Sequence, residues 1–377
     1  MVVTYHRPTR AIIHRNAIEE NTRNEVARLP KGRELFAVVK ADGYGHGAIA
    51  TANAAKRAGA TGFCVATLDE GIELREAGII EPILVLSVVF PSYLSVVVDY
   101  DLSITIATHE WLTEAQQVLK EIDAKRPVKL HLKVDTGMGR LGFRSLAEVK
   151  EAVTFIEHDP LMEWEGLFTH FSTADEKAAG YAYWQKQEAR FKEVVTGLDY
   201  LPRYVHSSNS ATALWHDDEE KLGNMVRFGV GMYGLNPSGT LIDAPYELKP
   251  ALELVSEVIQ VKLLPKGEGV GYGKTYVTPA EEWIGTVPIG YADGWIRKMQ
   301  GFSVLVEGQY CEIVGRVCMD QMMIRLPQAY PVGTKVTLIG KNHGAEIKMQ
   351  EVAEYLDTIH YEVACLLSER VPRLYQE

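Results

Sequence analysis

FAVVKADGYGHGAIATANAAKRAGATGFCVAT, residues 36–67, contains one complete strand–helix–strand unit. An apolar, β-branched run (36–40) passes through a glycine-rich loop into GAIATANAAKRAGA, whose small apolar positions recur at helical spacing. A second apolar run (63–67) follows. The same alternation continues along the chain, with further runs at ILVLS (83–87), SITIA (103–107), KLHLKV (129–134), WEGLFTH (164–170), RYVHS (203–207) and MVRFG (225–229). Helical segments such as TLDEGIELREAG and the stretch from Gly180 to Leu198 lie between them. Eight strand–helix repeats predict an α/β fold, an N-terminal (β/α)8 TIM-type barrel.

The texture changes after Tyr233. Successive β-rich runs around 252–264, 283–289, 302–306, 311–318 and 334–340, with one amphipathic helix near 348–357, predict a mostly β C-terminal domain. The expected division is 1–245 for the barrel and 246–377 for the β domain, with roughly the first 10 residues free to pack on the latter.

The chain has 377 residues and a formal net charge of −11, and no basic cluster interrupts that balance, which argues against a nucleic-acid partner and for a small-molecule one. No apolar run approaches the roughly 20 residues that span a bilayer, and the N-terminus lacks a signal-like core, so a cytoplasmic protein is expected. Cys64, Cys311, Cys318 and Cys365 have no paired spacing and read as buried thiols, with neither disulfide nor zinc site. DDEE at 217–220 reads as a solvated loop rather than a metal site, and no metal is expected.

In such barrels chemistry gathers at the C-terminal ends of the strands. The first run ends in Lys40, where burial would make an amine nucleophilic, and its loop brings Tyr44 and His46 to the same rim. The fifth leads into HLKVDTGMGRLGF (131–143), with Lys133 inside the strand and Arg140 in the loop, and the sixth ends in His170. The loops after runs seven and eight, HSSNSATAL (206–214) and RFGVGMYG (227–234), offer hydroxyls and backbone N–H groups to a phosphate. A lysine able to form a Schiff base beside a phosphate cup suggests pyridoxal phosphate, with Arg227 placed to meet its ring nitrogen. An arginine there donates a hydrogen bond without giving up its proton, which weakens the cofactor as an electron sink and favours proton return to Cα.

These motifs closely resemble the alanine racemases, a family of fold-type III pyridoxal-phosphate enzymes, over essentially the whole chain. AVVKADGYGHG (37–47) is similar to the family's cofactor-attachment motif, which implies that Lys40 holds the cofactor and Tyr44 contacts its phosphate. By the same resemblance Asn209, Ser210, Gly229, Val230 and Tyr361 are cofactor or phosphate contacts, Arg227 faces the ring nitrogen, and His170 links it to a catalytic tyrosine. GVGYGKTY (269–276) resembles the segment carrying that tyrosine, which would be Tyr272, acting across a homodimer interface. PIGYADGW (288–295) resembles the entry corridor through Tyr291, and VCMDQ (317–321) the substrate-carboxylate loop, with Met319 contributed by the partner. Arg140 matches a substrate-binding arginine and Lys133 a lysine carbamylated in many members, its alternative being an ordinary salt-bridging lysine.

The resemblance implies a two-base interconversion of L- and D-alanine, with Tyr272 and Lys40 on opposite faces and D-alanine destined for peptidoglycan. A phenol ordinarily titrates near pH 10, so this role needs cationic neighbours such as Arg227 and Arg140. A serine or broader-specificity racemase shares the same signature. A decarboxylase on the same fold needs a stronger electron sink than Arg227 allows, and a non-catalytic cofactor-binding protein of the barrel type would lack the second domain.

Overall fold

The computed structural model describes residues 2–216 and 222–377, so the acidic run at 217–220 lies outside the described residues. The chain forms two compact units. One comprises residues 17–43 and 48–249; the other comprises the N-terminal residues through Asn16, the short insert Tyr44–Gly47, and Pro250–Glu377.

In the first unit eight parallel strands, Glu34–Val38, Gly62–Val65, Ile83–Val88, Ser103–Ile106, Val128–Lys133, Met162–Phe168, Tyr204–His206 and Met225–Phe228, pair in sequence order, and the first also pairs with the eighth. This is the (β/α)8 barrel, nearly closed. Between the seventh and eighth strands the described residues show no ladder, only single bonds such as Asn224 N to Val205 O at 2.9 Å and Arg227 N to Ser208 O at 3.0 Å. Strands covered on both faces need apolar residues at nearly every position, and Gly62–Val65 and Met225–Phe228 are buried throughout. Helix starts are set by side chains. Thr67 and Ser145 each form a reciprocal capping box, with Glu70 and Glu148, at the starts of Leu68–Glu76 and Leu146–Glu157.

The fifth and sixth strands pair out of step. Leu130 lies opposite Trp164 but His131 opposite Gly166, so Glu165 is the extra residue of a bulge.

The second unit is mostly β. Its seven-stranded sheet runs Gln309–Glu312, Ser303–Val306, Lys335–Asn342, Leu252–Glu257, Arg10–His14, Arg373–Gln376, with Ala345–Ile347 beside Lys335–Asn342. A three-stranded sheet joins Gln260–Leu264, Glu282–Val287 and Met322–Leu326. A two-stranded ribbon pairs Gly269–Val270 with Tyr276–Val277. The β run read at 311–318 ends at Glu312: Gly315 sits at φ +71°, and a Cβ there would lie 2.5 Å from Val270 O, so the chain bends away from extended pairing.

Candidate active site

Lys40 follows the first barrel strand and opens a left-handed turn rather than an ordinary loop. Ala41, Asp42, Gly43 and Tyr44 hold φ of 52°, 51°, 59° and 52°, a region costing about 1–2 kcal/mol per non-glycine residue. Hydrogen bonds hold it there. Ala41 N donates to Glu70 Oε1 at 2.7 Å, Gly43 N to Val39 O at 2.8 Å, and Ala48 N to Asp42 Oδ1 at 2.8 Å.

Around the same strand ends the barrel unit gathers cations. Lys133 closes the fifth strand, donates from Nζ to Val134 O at 2.9 Å, and lies 5.3 Å from the Phe168 ring centroid. Burial, then the Arg227 charge, pulls its pKa down to about 7. Arg140 is exposed in a loop that the Asp135 carboxylate organises by accepting from Gly137 N and Gly139 N, each at 3.0 Å.

Arg227, 4 % exposed, is held on several sides. Its NH2 donates to Thr169 O at 2.9 Å, Ser207 O at 3.1 Å and His170 Nδ1 at 3.3 Å, and its NH1 to His206 Nδ1 at 2.7 Å. A guanidinium only donates, so His170 accepts at Nδ1 and carries its proton on Nε2. Burial, followed by the charges of Arg227, Lys133, Arg140 and Lys40, drives the His170 pKa well below its ordinary value and keeps the ring neutral. Burial also pushes the Cys64 thiol up to about 12 against the pull of Arg227 and Lys40, which makes it inert.

The loops after the last two strands bring short polar side chains and backbone N–H groups together. Asn209 caps the helix Ser210–Trp215 by accepting from Thr212 N at 2.9 Å, and the Ser210 hydroxyl accepts from Gly229 N at 2.8 Å and Gly231 N at 3.4 Å. Val230 begins the short turn that follows. The Ser207 hydroxyl, buried nearby in sequence, has no hydrogen-bond partner among the described residues.

The β unit groups the remaining residues. Tyr44 and Tyr361 have ring centroids 6.2 Å apart, and Arg373 Nε donates to Gly45 O at 3.0 Å. Position 45 has to be glycine, because a Cβ would sit 2.4 Å from Ala364 O. Tyr272 occupies the turn of the two-stranded ribbon and is 71 % exposed, while Met319 is 52 % exposed. Both line a cavity of about 610 Å³ together with Lys262 and Gln321. Tyr291 N donates to Cys318 O at 3.1 Å and Ala292 N to Met319 O at 3.0 Å, so the Tyr291 turn and the Met319 segment are tied by backbone. Behind them Asp293, fully buried, takes a bidentate ion pair from Arg7, at 2.9 and 2.6 Å.

The barrel unit thus brings Lys40, Lys133, Arg140 and Arg227 into electrostatic reach of His170; the β unit pairs Tyr44 with Tyr361 and places Tyr272 and Met319 on one cavity. Reading the sequence did not single out His131, Glu165, His206 or Glu70. The available signal was a polar residue inside an otherwise apolar strand, as in KLHLK and EWEGLF. Among the described residues there is no group of three or more His, Cys, Asp or Glu able to hold a metal, and no helix long and apolar enough to cross a membrane.

Comparison with known proteins agrees with this arrangement of elements. Residues 13–237 match the family model of the alanine racemase N-terminal domain and residues 251–375 that of the C-terminal domain. The alanine racemase of Ligilactobacillus salivarius is 57 % identical over 377 residues, covering all of both chains. A crystal structure of alanine racemase from E. faecalis superposes with a TM-score of 0.97 at 61 % identity, again over the whole of both chains. A histidine racemase from Leuconostoc mesenteroides superposes at 0.92 with 32 % identity, also over both full lengths.

Proposed function

Starting from the fact that the chain belongs to the alanine racemase family and has that family's activity, we propose that Lys40 and Tyr272 are its two acid/base groups and pyridoxal phosphate its cofactor. The observation that carries this reading is the cation cluster around a neutral His170: Lys40, Lys133, Arg140 and Arg227 converge where a phosphate, a phenolate and a substrate carboxylate would need them. The Ser210, Gly229 and Val230 cup suits a phosphate, and the orphaned Ser207 hydroxyl is a further polar atom awaiting a partner. Tyr44 and Tyr361 would add phenolic donors to that phosphate.

When bound, the cofactor withdraws electrons from Cα of the amino acid and so acidifies its proton. The chain supplies the rest. Lys40 would hold the cofactor, and its amine would take or return the Cα proton on one face, that of D-alanine. Arg227 would be the residue that faces the ring nitrogen, as a donor that keeps its own proton. Tyr272, exposed in its own protomer, serves the opposite face in the partner of a homodimer, where it takes the proton of L-alanine. The Nε2–H of His170 is the donor offered to the phenolate, and Arg140 and Met319 hold the carboxylate. Lys133, with its lowered pKa, is poised to react with carbon dioxide, and the carbamate would brace Arg140. Tyr291 lines the way in. The expected compartment is reducing and cytoplasmic, where D-alanine would feed peptidoglycan.

Incubation with pyridoxal phosphate and L-alanine in D2O, with the enantiomers resolved and their Cα deuterium measured, tests the reading. Deuterated D-alanine is expected. Cα exchange without inversion would mean that one base works alone, and the Tyr272 assignment would fall. Parallel tubes of L-serine and L-histidine measure substrate breadth within this fold.

A further inference from the structure

A line of buried polar side chains leaves Arg227 and runs through the barrel unit to a carboxylate. Arg227 NH1 is 2.7 Å from His206 Nδ1, His206 Nε2 is 2.9 Å from His131 Nδ1, and His131 Nε2 is 2.9 Å from Glu165 Oε2. The Ser103 hydroxyl donates to the same Glu165 oxygen at 2.5 Å. Ser103, His131, Glu165, His206 and Arg227 are each less than 5 % exposed.

Only one placement of protons satisfies all three links. A guanidinium has no lone pair to offer, so His206 must accept at Nδ1. A neutral His206 then carries its proton on Nε2 and donates to His131 Nδ1, which leaves His131 with its proton on Nε2, donated to the carboxylate. The reverse order fails: a proton on Glu165 would turn each ring over and bring an N–H of His206 against an N–H of Arg227 at 2.7 Å. Burial, followed by the charge of Arg227, drives the His206 pKa well below its ordinary value, so the ring between the two ends stays neutral.

The backbone is shaped for this line. The strand bulge at Glu165 turns its carboxylate toward His131. Gly166 is obligatory beside it, since a Cβ there would lie 2.1 Å from His131 Nδ1. Stacking fixes the ring planes, Phe168 on His206 at 4.7 Å and 9°, Tyr204 on His131 at 5.8 Å and 24°.

We propose that Glu165, His131 and His206 are positioning residues for Arg227, a one-directional hydrogen-bond relay that fixes the plane in which its guanidinium presents donors to the cofactor. The inference rests on the reading that Arg227 meets the ring nitrogen. None of the three touches the reacting atoms; each acts through the next.

Full-length protein labelled with 15N-histidine, recorded with and without pyridoxal phosphate between pH 6 and pH 8, reports ring tautomers directly. His131 and His206 should both be protonated at Nε2 alone throughout. Glu165→Gln keeps, in its amide oxygen, an acceptor for both His131 and Ser103, so the tautomers should persist and kcat should stay within about threefold of wild type. Glu165→Leu removes the acceptor of the His131 Nε2–H; His206 should stay protonated at Nε2, because Arg227 still needs its Nδ1 lone pair, while the His131 signal should move and kcat fall about tenfold or more, with KM for alanine within about twofold. A wild-type His206 protonated at Nδ1, or a Glu165→Leu variant with wild-type kcat, overturns the proposal. Should the leucine variant not fold, the wild-type and glutamine spectra decide. Failure of the wild-type protein to take up pyridoxal phosphate, with tautomers as expected, would instead count against the cofactor reading of Arg227.

Discussion

The backbone N–H of Ala41, one residue past Lys40, donates to the Glu70 carboxylate at 2.7 Å. The other oxygen of that carboxylate accepts from Ala66 N at 2.6 Å and Thr67 N at 3.1 Å, so one side chain both caps a helix and braces the lysine's turn. Glu70→Ala should therefore lower stability by about 1–2 kcal/mol, the usual worth of a cap with a charged acceptor. Urea unfolding checks this; an unchanged midpoint would show that the brace contributes nothing.

Tyr272→Phe removes a proton donor and acceptor without touching the barrel unit. Racemisation should fall by about 10²–10⁴, the range of a general acid or base, while the cofactor absorbance remains. Lys40→Ala should abolish the covalent attachment and its absorbance. If both variants lost the cofactor alike, the division of roles between them would be wrong.

Lys133 supplies a pH dependence whose sign is fixed. Its folded pKa of about 7 lies below the ordinary 10.5, so between those values the unfolded chain carries a proton that the folded chain has shed. The penalty for a buried charge is present in full below pH 7 and is relieved as pH rises toward 10.5. Relative to Lys133→Met, the wild type should gain stability over that window, on the order of a few kcal/mol. Thermal melts at several pH values test this. With 13C-bicarbonate the wild type alone should show a carbamate signal that grows above pH 7.

Gly290 has an extended φ of −152°, so its constraint is purely steric: a Cβ would lie 2.3 Å from Cys318 O and 2.5 Å from Met319 O. Gly290→Ala should push the Tyr291 turn off the Met319 segment and lower kcat/KM for alanine about tenfold or more, as displacement of a positioning loop does. The loss should appear mainly in KM. Unaltered kinetics would sink the assignment of these segments to substrate binding.

The eight barrel strands were legible because parallel strands buried on both faces leave near-continuous apolar runs, and all eight runs read from the sequence are strands. The strand Arg10–His14 was not, for its partners are Leu252–Val255 and Arg373–Gln376, hundreds of residues away, and five residues carry too little local pattern. The handedness of the turn after Lys40 was equally hidden: ADGYGHG reads as a glycine-rich loop, yet Ala41 and Asp42 take positive φ because Glu70 and Ala48 hold them there. Lys40 and Tyr272, the proposed acid/base pair, stood out through motif resemblance. The relay behind Arg227 did not, because only a bulge and a glycine bring Glu165 to His131, and periodicity does not record either.

The turn at Ala41 has one last implication, which concerns chirality. A backbone at φ 52°, ψ 52° is the ordinary helical geometry of a D-residue reflected onto an L-chain. A semisynthetic protein with D-alanine at position 41 would escape the roughly 1–2 kcal/mol that the L-residue bears there. A chain that interconverts the mirror forms of alanine thus carries, next to its proposed cofactor lysine, an alanine of its own whose backbone would sit more easily in the product's configuration.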